Sequence, residues 1–429
     1  MILGTNPQTL SAPDRVSMSM SPATENTPTI ASEWKALCLL WLAGISLRVT
    51  ILAVPPVIPL IRDDLGMSET QVGILIGLPL VTWALAAVPG SLMIARFGAT
   101  LTVTVGLALT GLAGAGRAGG APGVWLLYLA TVLMGFGIAV MQPSMPTLVR
   151  QWLPQRIGLG AIATTNGMMV AVTLSPVLTI PVVLPLVSGS WRLDLVVWAL
   201  PVLATALLYF AFAPHSRTTA EPSGGARHGW PDWKDPLIWL LGFTFGSNNA
   251  LFFSVNAFLP EYLVSLGRGE LTAAALGSMN SSQLVASTLL LISAQRLERR
   301  VWPYVVFGPA PLLGVIGIVV AGGGGAGGAW IVSAAVLVGA SLAVTFALMF
   351  ALPAILSPPG AVHRISAGMF TVSYGFAVIV PVICGALWDI TGRAWAAFVP
   401  MTLCAVMQGT LGTILGARAG RHRAHTNPD

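Results

Sequence analysis

The chain of 429 residues is poor in charge: Asp, Glu, Lys and Arg together make up 8% of it. A soluble globular domain carries roughly 25%. So few charges cannot cover a water-facing surface of this size. That excludes a cytosolic enzyme, a nucleic-acid-binding domain and a small secreted scaffold. Histidine is scarce too. The five residues (His215, His228, His363, His422 and His425) all fall in polar connections or the tail. They offer no buried general base and no metal cluster, which counts against an intramembrane metalloprotease. The three cysteines, Cys38, Cys384 and Cys404, sit inside apolar runs. Their spacing suits neither a metal site nor a disulfide framework, and they read as small hydrophobes in helix packing. Walker, HExxH and strand-to-helix Rossmann patterns are missing. No cofactor and no enzymatic activity are expected.

What the chain has is long apolar runs, with 55% hydrophobic residues. A bilayer-spanning helix needs about 20 mostly apolar residues. Twelve runs qualify, at 36–60, 70–93, 99–117, 123–149, 157–187, 192–213, 237–259, 271–295, 302–321, 329–356, 365–388 and 395–417. The expected architecture is all-α and integral to the membrane, with twelve transmembrane helices in two pseudo-symmetric six-helix bundles. The organisation that follows is a disordered tail over 1–35, an N-terminal bundle over 36–213, a central loop over 214–236, a C-terminal bundle over 237–417 and a basic tail over 418–429. Residues 1–33 lack the apolar core of a signal peptide. Gly322 to Gly328 reads as a flexible connection.

Lys and Arg set the orientation. With the N-terminus in the cytoplasm, 15 of the 21 fall in inside segments and 5 in outside segments, and Arg48 lies within a span. That bias puts both termini and the central loop in the cytoplasm. The halves also repeat a feature. Pro59 is followed six residues later by Leu65-Gly66, and Pro260 six residues later by Leu266-Gly267, each before a new apolar run. Repeated halves that rock about a midplane site are a common transporter design.

Arg48 is the residue that asks for an explanation. It lies near the middle of the first run, and no acid near it in sequence neutralises it. An arginine at a helix centre costs ~2.5–3.5 kcal/mol on insertion scales. Facing a water-filled cavity, it would hold an anion through its planar fork. The alternative is a structural arginine bonded to carbonyls freed by Pro55 and Pro56. None of the 15 acids sits at the centre of a run, and Asp194, Glu261 and Asp389 fall near outer ends. Proton coupling would therefore use an end-of-helix acid such as Glu261, or arrive on the substrate; exchange and facilitated diffusion stay open. Amides gather in a few spans: Gln142, Asn166, Asn248, Asn249, Asn256, Asn280 and Gln283. They either bond across helices, at ~0.6–2 kcal/mol each, or face a cavity. Trp83, Tyr374 and Trp388 are candidates to wall a small planar solute.

Several of these stretches are similar to a known family. Leu47-Arg48 through Pro59, followed by Arg62-Asp63-Asp64-Leu65-Gly66-Met67-Ser68, resembles the opening of the cyanate permease and nitroimidazole transporter branch of the major facilitator superfamily. Gly137-Ile138-Ala139-Val140 with Pro146-Thr147-Leu148-Val149, Gly189-Ser190-Trp191-Arg192-Leu193, and Ser366-Ala367-Gly368 through Tyr374-Gly375 share the likeness. It covers approximately residues 36–415. The resemblance implies two six-helix bundles around a central site for small anionic or planar solutes. It also implies a monomer in the bacterial inner membrane. Arg48 matches a family arginine, and Gln142 stands where relatives show Asn.

The chain departs from the family in the loop after the second helix. Ser91 stands for the usual Gly and Ala95 for the usual Asp, leaving Arg96 and Gly98 of the gating motif. The runs 70–93 and 271–295 hold no arginine, which argues against nitrate. The expectation is alternating access on a cyanate-like anion, a carboxylate or a nitroimidazole-like heterocycle. Arg48, Gln142, Asn166, Asn249, Asn280 and Tyr374 are the candidate contacts, Arg96 and Gly98 serve gating, and a proton is a candidate co-ion. The competing expectation is a drug or metabolite exporter with a broad apolar cavity and little dependence on Arg48.

Overall fold

The computed structural model describes residues 30–119, 123–214, 229–297, 302–323, 327–358 and 360–426. Most of the expected tail, most of the central loop and the middle of the glycine-rich connection lie outside them. Twelve helices long and apolar enough to cross a membrane account for nearly all the rest: α1 Glu33–Leu65, α2 Thr70–Phe97, α3 Ala99–Gly116, α4 Val124–Trp152, α5 Ile157–Leu186, α6 Trp191–Phe212, α7 Pro236–Ser265, α8 Gly269–Ala294, α9 Trp302–Gly323, α10 Gly328–Leu356, α11 Val362–Thr391 and α12 Ala394–Ala419. Twelve crossings bring both described ends to one face, called here the termini face.

Helical chain extends past several boundaries read from hydropathy. It begins at Ile30, within the stretch expected to be a tail, and continues to Thr426, beyond the last apolar residue. The first span runs on to Leu65. Hydropathy locates the hydrocarbon crossing, whereas backbone hydrogen bonding carries a helix on into polar residues. Glu33 in the first turn of the first helix suits the dipole there.

Caps mark the ends. Ser68 and Gln71 form a reciprocal capping box at the start of α2. The repeated Leu-Gly pairs close α1 and α7 in the same way. Gly66 and Gly267 are left-handed (φ 60° and 68°). The N–H after each glycine returns to a carbonyl five residues back, Met67 to Arg62 at 3.0 Å and Arg268 to Leu263 at 2.8 Å. This six-to-one closure needs a glycine-like φ, which explains why the same pair recurs at corresponding helix ends.

The two halves pack alike. In the first, α1 packs on α5, α2 on α4, and α3 on both α4 and α6; in the second, α7 packs on α11, α8 on α10, and α9 on both α10 and α12. Glycines permit close approach: a Cβ on Gly44 or Gly167 would meet the backbone carbonyl of Thr164 or Trp41 across the α1–α5 contact. Between the halves, α2 lies on α11 and α5 on α8, with α4 and α5 also touching α10.

The core is joined at one face and divided at the other. One buried cluster on the termini side runs through both halves, from Leu40, Leu148 and Trp152 to Phe245, Leu352 and Phe370. Toward the opposite face it splits. Val57, Ile61 and Leu195 belong to a cluster of the first half alone, and Leu259, Tyr262 and Phe398 to one of the second. The gap between them is the mouth of a cavity. Large apolar side chains such as Leu85, Phe210, Ile292 and Ile390 face outward, as a lipid-facing surface requires. Trp34, Trp125, Trp302 and Trp330 stand exposed near span ends, where interfacial tryptophans collect.

Candidate functional site

The cavity has a volume of about 200 Å³. Its wall in the first half comes from Arg48 to Pro55 of α1, from Leu75 to Trp83 of α2 and from parts of α3, α4 and α5. In the second half Asn248, Asn249, Phe252 and Phe253 of α7, Gln283 of α8, and Leu342 and Phe346 of α10 line it. These positions run from mid-helix toward the face opposite the termini, so the cavity opens there. Most of the lining is aliphatic or aromatic.

Arg48 reaches this wall because α1 is broken beside it. The helix ends at Ser46, and Arg48 (φ −127°, ψ −30°) caps the short segment Val49–Leu52. The Arg48 N–H bonds the Ile45 carbonyl three residues back at 3.1 Å, a tightened turn. Pro55 and Pro56 have no N–H to continue the ladder; they open a single 3₁₀ turn, Pro55–Val57, before the helix resumes at Ile58. Gln142 sits at a matching break in α4, between Met141 and Pro143. Pro146 has no N–H for the Gln142 carbonyl, which takes the Met145 N–H at 3.2 Å instead.

These breaks bring three candidates together. The Arg48 guanidinium lies 4.7 Å from the centroid of the Trp83 ring. A cation over an indole face contributes about 0.5–2 kcal/mol, more when desolvated. Arg48 Nη2 donates a long 3.5 Å bond to the Tyr374 hydroxyl. That hydroxyl donates to Gln142 Oε1 at 2.6 Å, and the Tyr374 ring meets Trp83 edge-on with centroids 5.0 Å apart. Arg48, Trp83 and Gln142 belong to the first half and Tyr374 to the second, so the group ties the halves together at the floor of the cavity. Tyr374 and Gln142 are buried behind Arg48 rather than on the wall. Among the described residues Arg48 has no carboxylate partner.

The amides divide. Asn249 lines the cavity while its Nδ2 donates to Ser373 Oγ at 2.7 Å. Asn280 stands one step behind the wall: Gln283 Nε2 donates to its Oδ1 at 3.0 Å, and it donates to Asn256 Oδ1 at 3.1 Å. Gln283 is the one that reaches the cavity. The structure does not bring Asn166 there. Its Oδ1 accepts from Trp41 Nε1 at 3.0 Å, and its Nδ2 donates to Ser287 Oγ and Thr288 Oγ1, both at 3.2 Å. Helix packing between α1, α5 and α8 takes up the whole amide. Trp388 packs on Phe258, away from the cavity, whereas Trp83 is part of the wall.

The termini face is shut. Arg96 is exposed at the end of α2 and lies over its own neighbour, Phe97, at 5.3 Å. Gly98 (φ 83°) turns the chain from α2 into α3, and its carbonyl accepts from Thr102 Oγ1 at 2.8 Å. At this face Arg150 ties the halves: its Nη1 donates to the Ser357 carbonyl at 2.6 Å, from the end of α4 to the cap of α10. In the Lys and Arg count, Arg150 is simply one of the 15 inside charges and Arg117 one of the 5 outside; in the structure Arg117 is buried (3% exposed) and lines the cavity. Apolar neighbours at a span end gave no sign of either contact. Among the described residues no group of three His, Cys, Asp or Glu is arranged to hold a metal.

A broken-helix site at the junction of two repeated six-helix bundles defines a membrane transporter. Residues 40–381 match the Major Facilitator Superfamily, and the chain belongs to it. The chain is 25% identical over 397 residues to the uncharacterized transporter YycB of Bacillus subtilis (strain 168), covering 92% of this chain and 95% of that one. It is 27% identical to the 2-nitroimidazole transporter of Escherichia coli (strain K12), covering 57% of this chain and 62% of that one. It is also 27% identical to the cyanate transport protein CynX of the same strain, with 62% and 68% covered. The fold matches that of FucP in an outward conformation, with TM-score 0.74 at 13% identity over 90% of this chain and 99% of that one. It also matches the proton:xylose symporter XylE, with TM-score 0.71 at 13% identity over 90% and 95%.

Proposed function

We propose that this transporter moves a small anionic or planar solute by alternating access, with Arg48 as its anion ligand. The observation that carries the reading is a guanidinium at the wall of a largely apolar cavity, with no carboxylate partner among the described residues. A permanent charge so placed needs a counter-ion, and a solute arriving through the open mouth supplies it. Trp83 holds the guanidinium from one side, and the N–H groups not taken by the long Tyr374 bond are left for a carboxylate or pseudohalide. The apolar lining suits the flat or aliphatic remainder of such a solute. Asn249 and Gln283 on the facing wall offer neutral hydrogen bonds.

The Lys and Arg distribution supports a cytoplasmic termini face. In that orientation the cavity opens outward, in a bacterial inner membrane. The relatives named for cyanate and 2-nitroimidazole support a small solute, and the proton symport of XylE makes a proton co-ion the candidate to test. The same apolar lining also favours a second reading, an exporter of drugs or metabolites with a permissive cavity.

Ligand-induced thermal stabilisation separates the two. Purified parent, Arg48→Ala and Arg48→Lys proteins are melted with cyanate, nitrate, short carboxylates, nitroimidazoles and cationic drugs. Stabilisation of the parent by an anion, lost in Arg48→Ala, is the expected result. Equal stabilisation of parent and Arg48→Ala by neutral or cationic drugs would make Arg48 structural and favour the exporter.

A further inference from the structure

The acid best placed for coupling is not the exposed Glu261 but Asp194. It lies in the first turn of α6, fully buried (0% exposed), and neither carboxylate oxygen has a hydrogen-bond partner. An ionised carboxylate so placed is costly unless a positive group answers it. The positive group at hand is Arg117, at the end of the α3 helix that packs against α6, with no direct ion pair between the two side chains.

The Arg117 guanidinium is spent on backbone. Nη2 donates to the Thr50 carbonyl at 2.8 Å and Nε to the Gly114 carbonyl at 3.3 Å. The Thr50 carbonyl is available because α1 is irregular there: the Val54 N–H, which would close a regular turn on it, bonds Ile51 instead. Arg117 also lines the cavity. One side chain therefore touches the cavity, holds the broken segment of α1 two residues from Arg48, and feels the charge of Asp194.

The elements packed against α6 contribute few other charges. They are α3, both arms of the broken α1 and the π-turn Thr179–Val183 of α5. The π-turn has none, and α1 brings Arg48. Glu33 and Lys35 are at its far end, against Arg156 and Phe212. Arg192 of α6 pairs with Asp64 at the surface. Trp198 lies beside Asp194, with its indole N–H donated to Thr179 Oγ1 at 2.9 Å.

We propose that Asp194 is a proton-binding site and that Arg117 transmits its charge state to the cavity. With Asp194 ionised, the pair is neutral. When a proton moves from cavity water onto the carboxylate, Arg117 loses its counter-ion and the cavity gains a second uncompensated guanidinium beside Arg48. An anion then restores neutrality. Linkage makes this reciprocal, so proton and anion raise each other's affinity by the same factor. One proton and one monovalent anion load together as an electroneutral cargo. This co-loading rests on the anion reading proposed above; the proton site does not.

The test is infrared difference spectroscopy of the full chain in lipid nanodiscs, stepped from about pH 8 to about pH 5. The parent should gain a protonated-carboxyl band. Asp194→Asn should lack it, and Asp389→Asn, which changes an exposed acid of α11, should keep it. Arg117→Gln should show the band at a pH about 1–3 units higher, because a cation beside a carboxylate holds the proton off. Arg117→Lys should stay near the parent. Potassium cyanate as the anion probe should raise the midpoint in the parent and not in Arg117→Gln. A band that survives Asp194→Asn, or a midpoint unmoved by Arg117→Gln, overturns the proposal. Should Asp194→Asn fail to fold, the Arg117→Gln midpoint decides alone. If the carboxyl results hold and cyanate moves nothing, co-loading of that anion falls while the proton site stands.

Discussion

Arg150 should act as a latch. Its Nη1 donates to the Ser357 carbonyl at 2.6 Å, joining α4 of one half to the end of α10 in the other. The bond lies on the termini face, where the halves must part for the cavity to open that way, so it is made in only one of the two states. A hydrogen bond from a charged donor contributes about 1.5–3 kcal/mol. The side chain is half-buried, and water competing for the guanidinium brings that to about 1–2 kcal/mol. Removing a contact present in one state shifts the equilibrium by its full value, here a factor of about 5–30. Spin labels at Thr70 and Glu270, exposed at the starts of α2 and α8 on either side of the cavity mouth, report the state by pulsed dipolar spectroscopy. Cys38 is exposed and is replaced by Ser; Cys384 and Cys404 are buried. The parent should show mainly the longer separation. Arg150→Ala should gain a shorter one as the mouth closes, and Arg150→Lys, which keeps a charged donor, should fall between. A distribution in Arg150→Ala indistinguishable from the parent would refute the latch.

Other substitutions separate packing from ligand contact. Asn166→Ala should lower the melting temperature, at a cost near 0.6–1.7 kcal/mol for interhelical bonds in a membrane protein. It should leave any ligand-induced shift unchanged, since its amide is taken up by Trp41, Ser287 and Thr288. Tyr374→Phe leaves Gln142 Oε1 without its donor. It should cost about 1–3 kcal/mol in a thermal melt and also weaken anion binding, because Arg48 loses its tether. Gly44→Ala places a methyl group against the Thr164 carbonyl. Overpacking of about 1–3 kcal/mol should appear as a lower yield of monodisperse protein in detergent.

Much of the fold was legible because the bilayer imposes one length and one composition on every span. The matched Leu-Gly ends of α1 and α7 were readable for a similar reason: the closing turn demands a left-handed residue, and glycine records that demand in the sequence. Arg48 stood out because a charge inside an apolar run is rare. Its partners were harder. Trp83 and Tyr374 were visible as aromatics, but only the helix breaks at Arg48 and Gln142 aim these groups at one point. Asn166 and Asn280 look alike in sequence; what distinguishes them from cavity residues is the set of partners, which depends on helix rotation. Arg117 and Asp194 were hidden by position. At a span end a charge reads as solvated, and only the packing of α3 on α6 and on the broken part of α1 buries them.

The central claim is that the Arg48 guanidinium holds the anion within the cavity. Crystals soaked with potassium selenocyanate, a linear pseudohalide whose selenium scatters anomalously, put that claim to the most direct measurement. The account predicts a selenium peak in the cavity, with the anion's nitrogen or selenium end within hydrogen-bond distance of the Arg48 guanidinium, and no such peak in Arg48→Gln crystals. A cavity without selenium in the parent, or a peak that persists unchanged in Arg48→Gln, would contradict it.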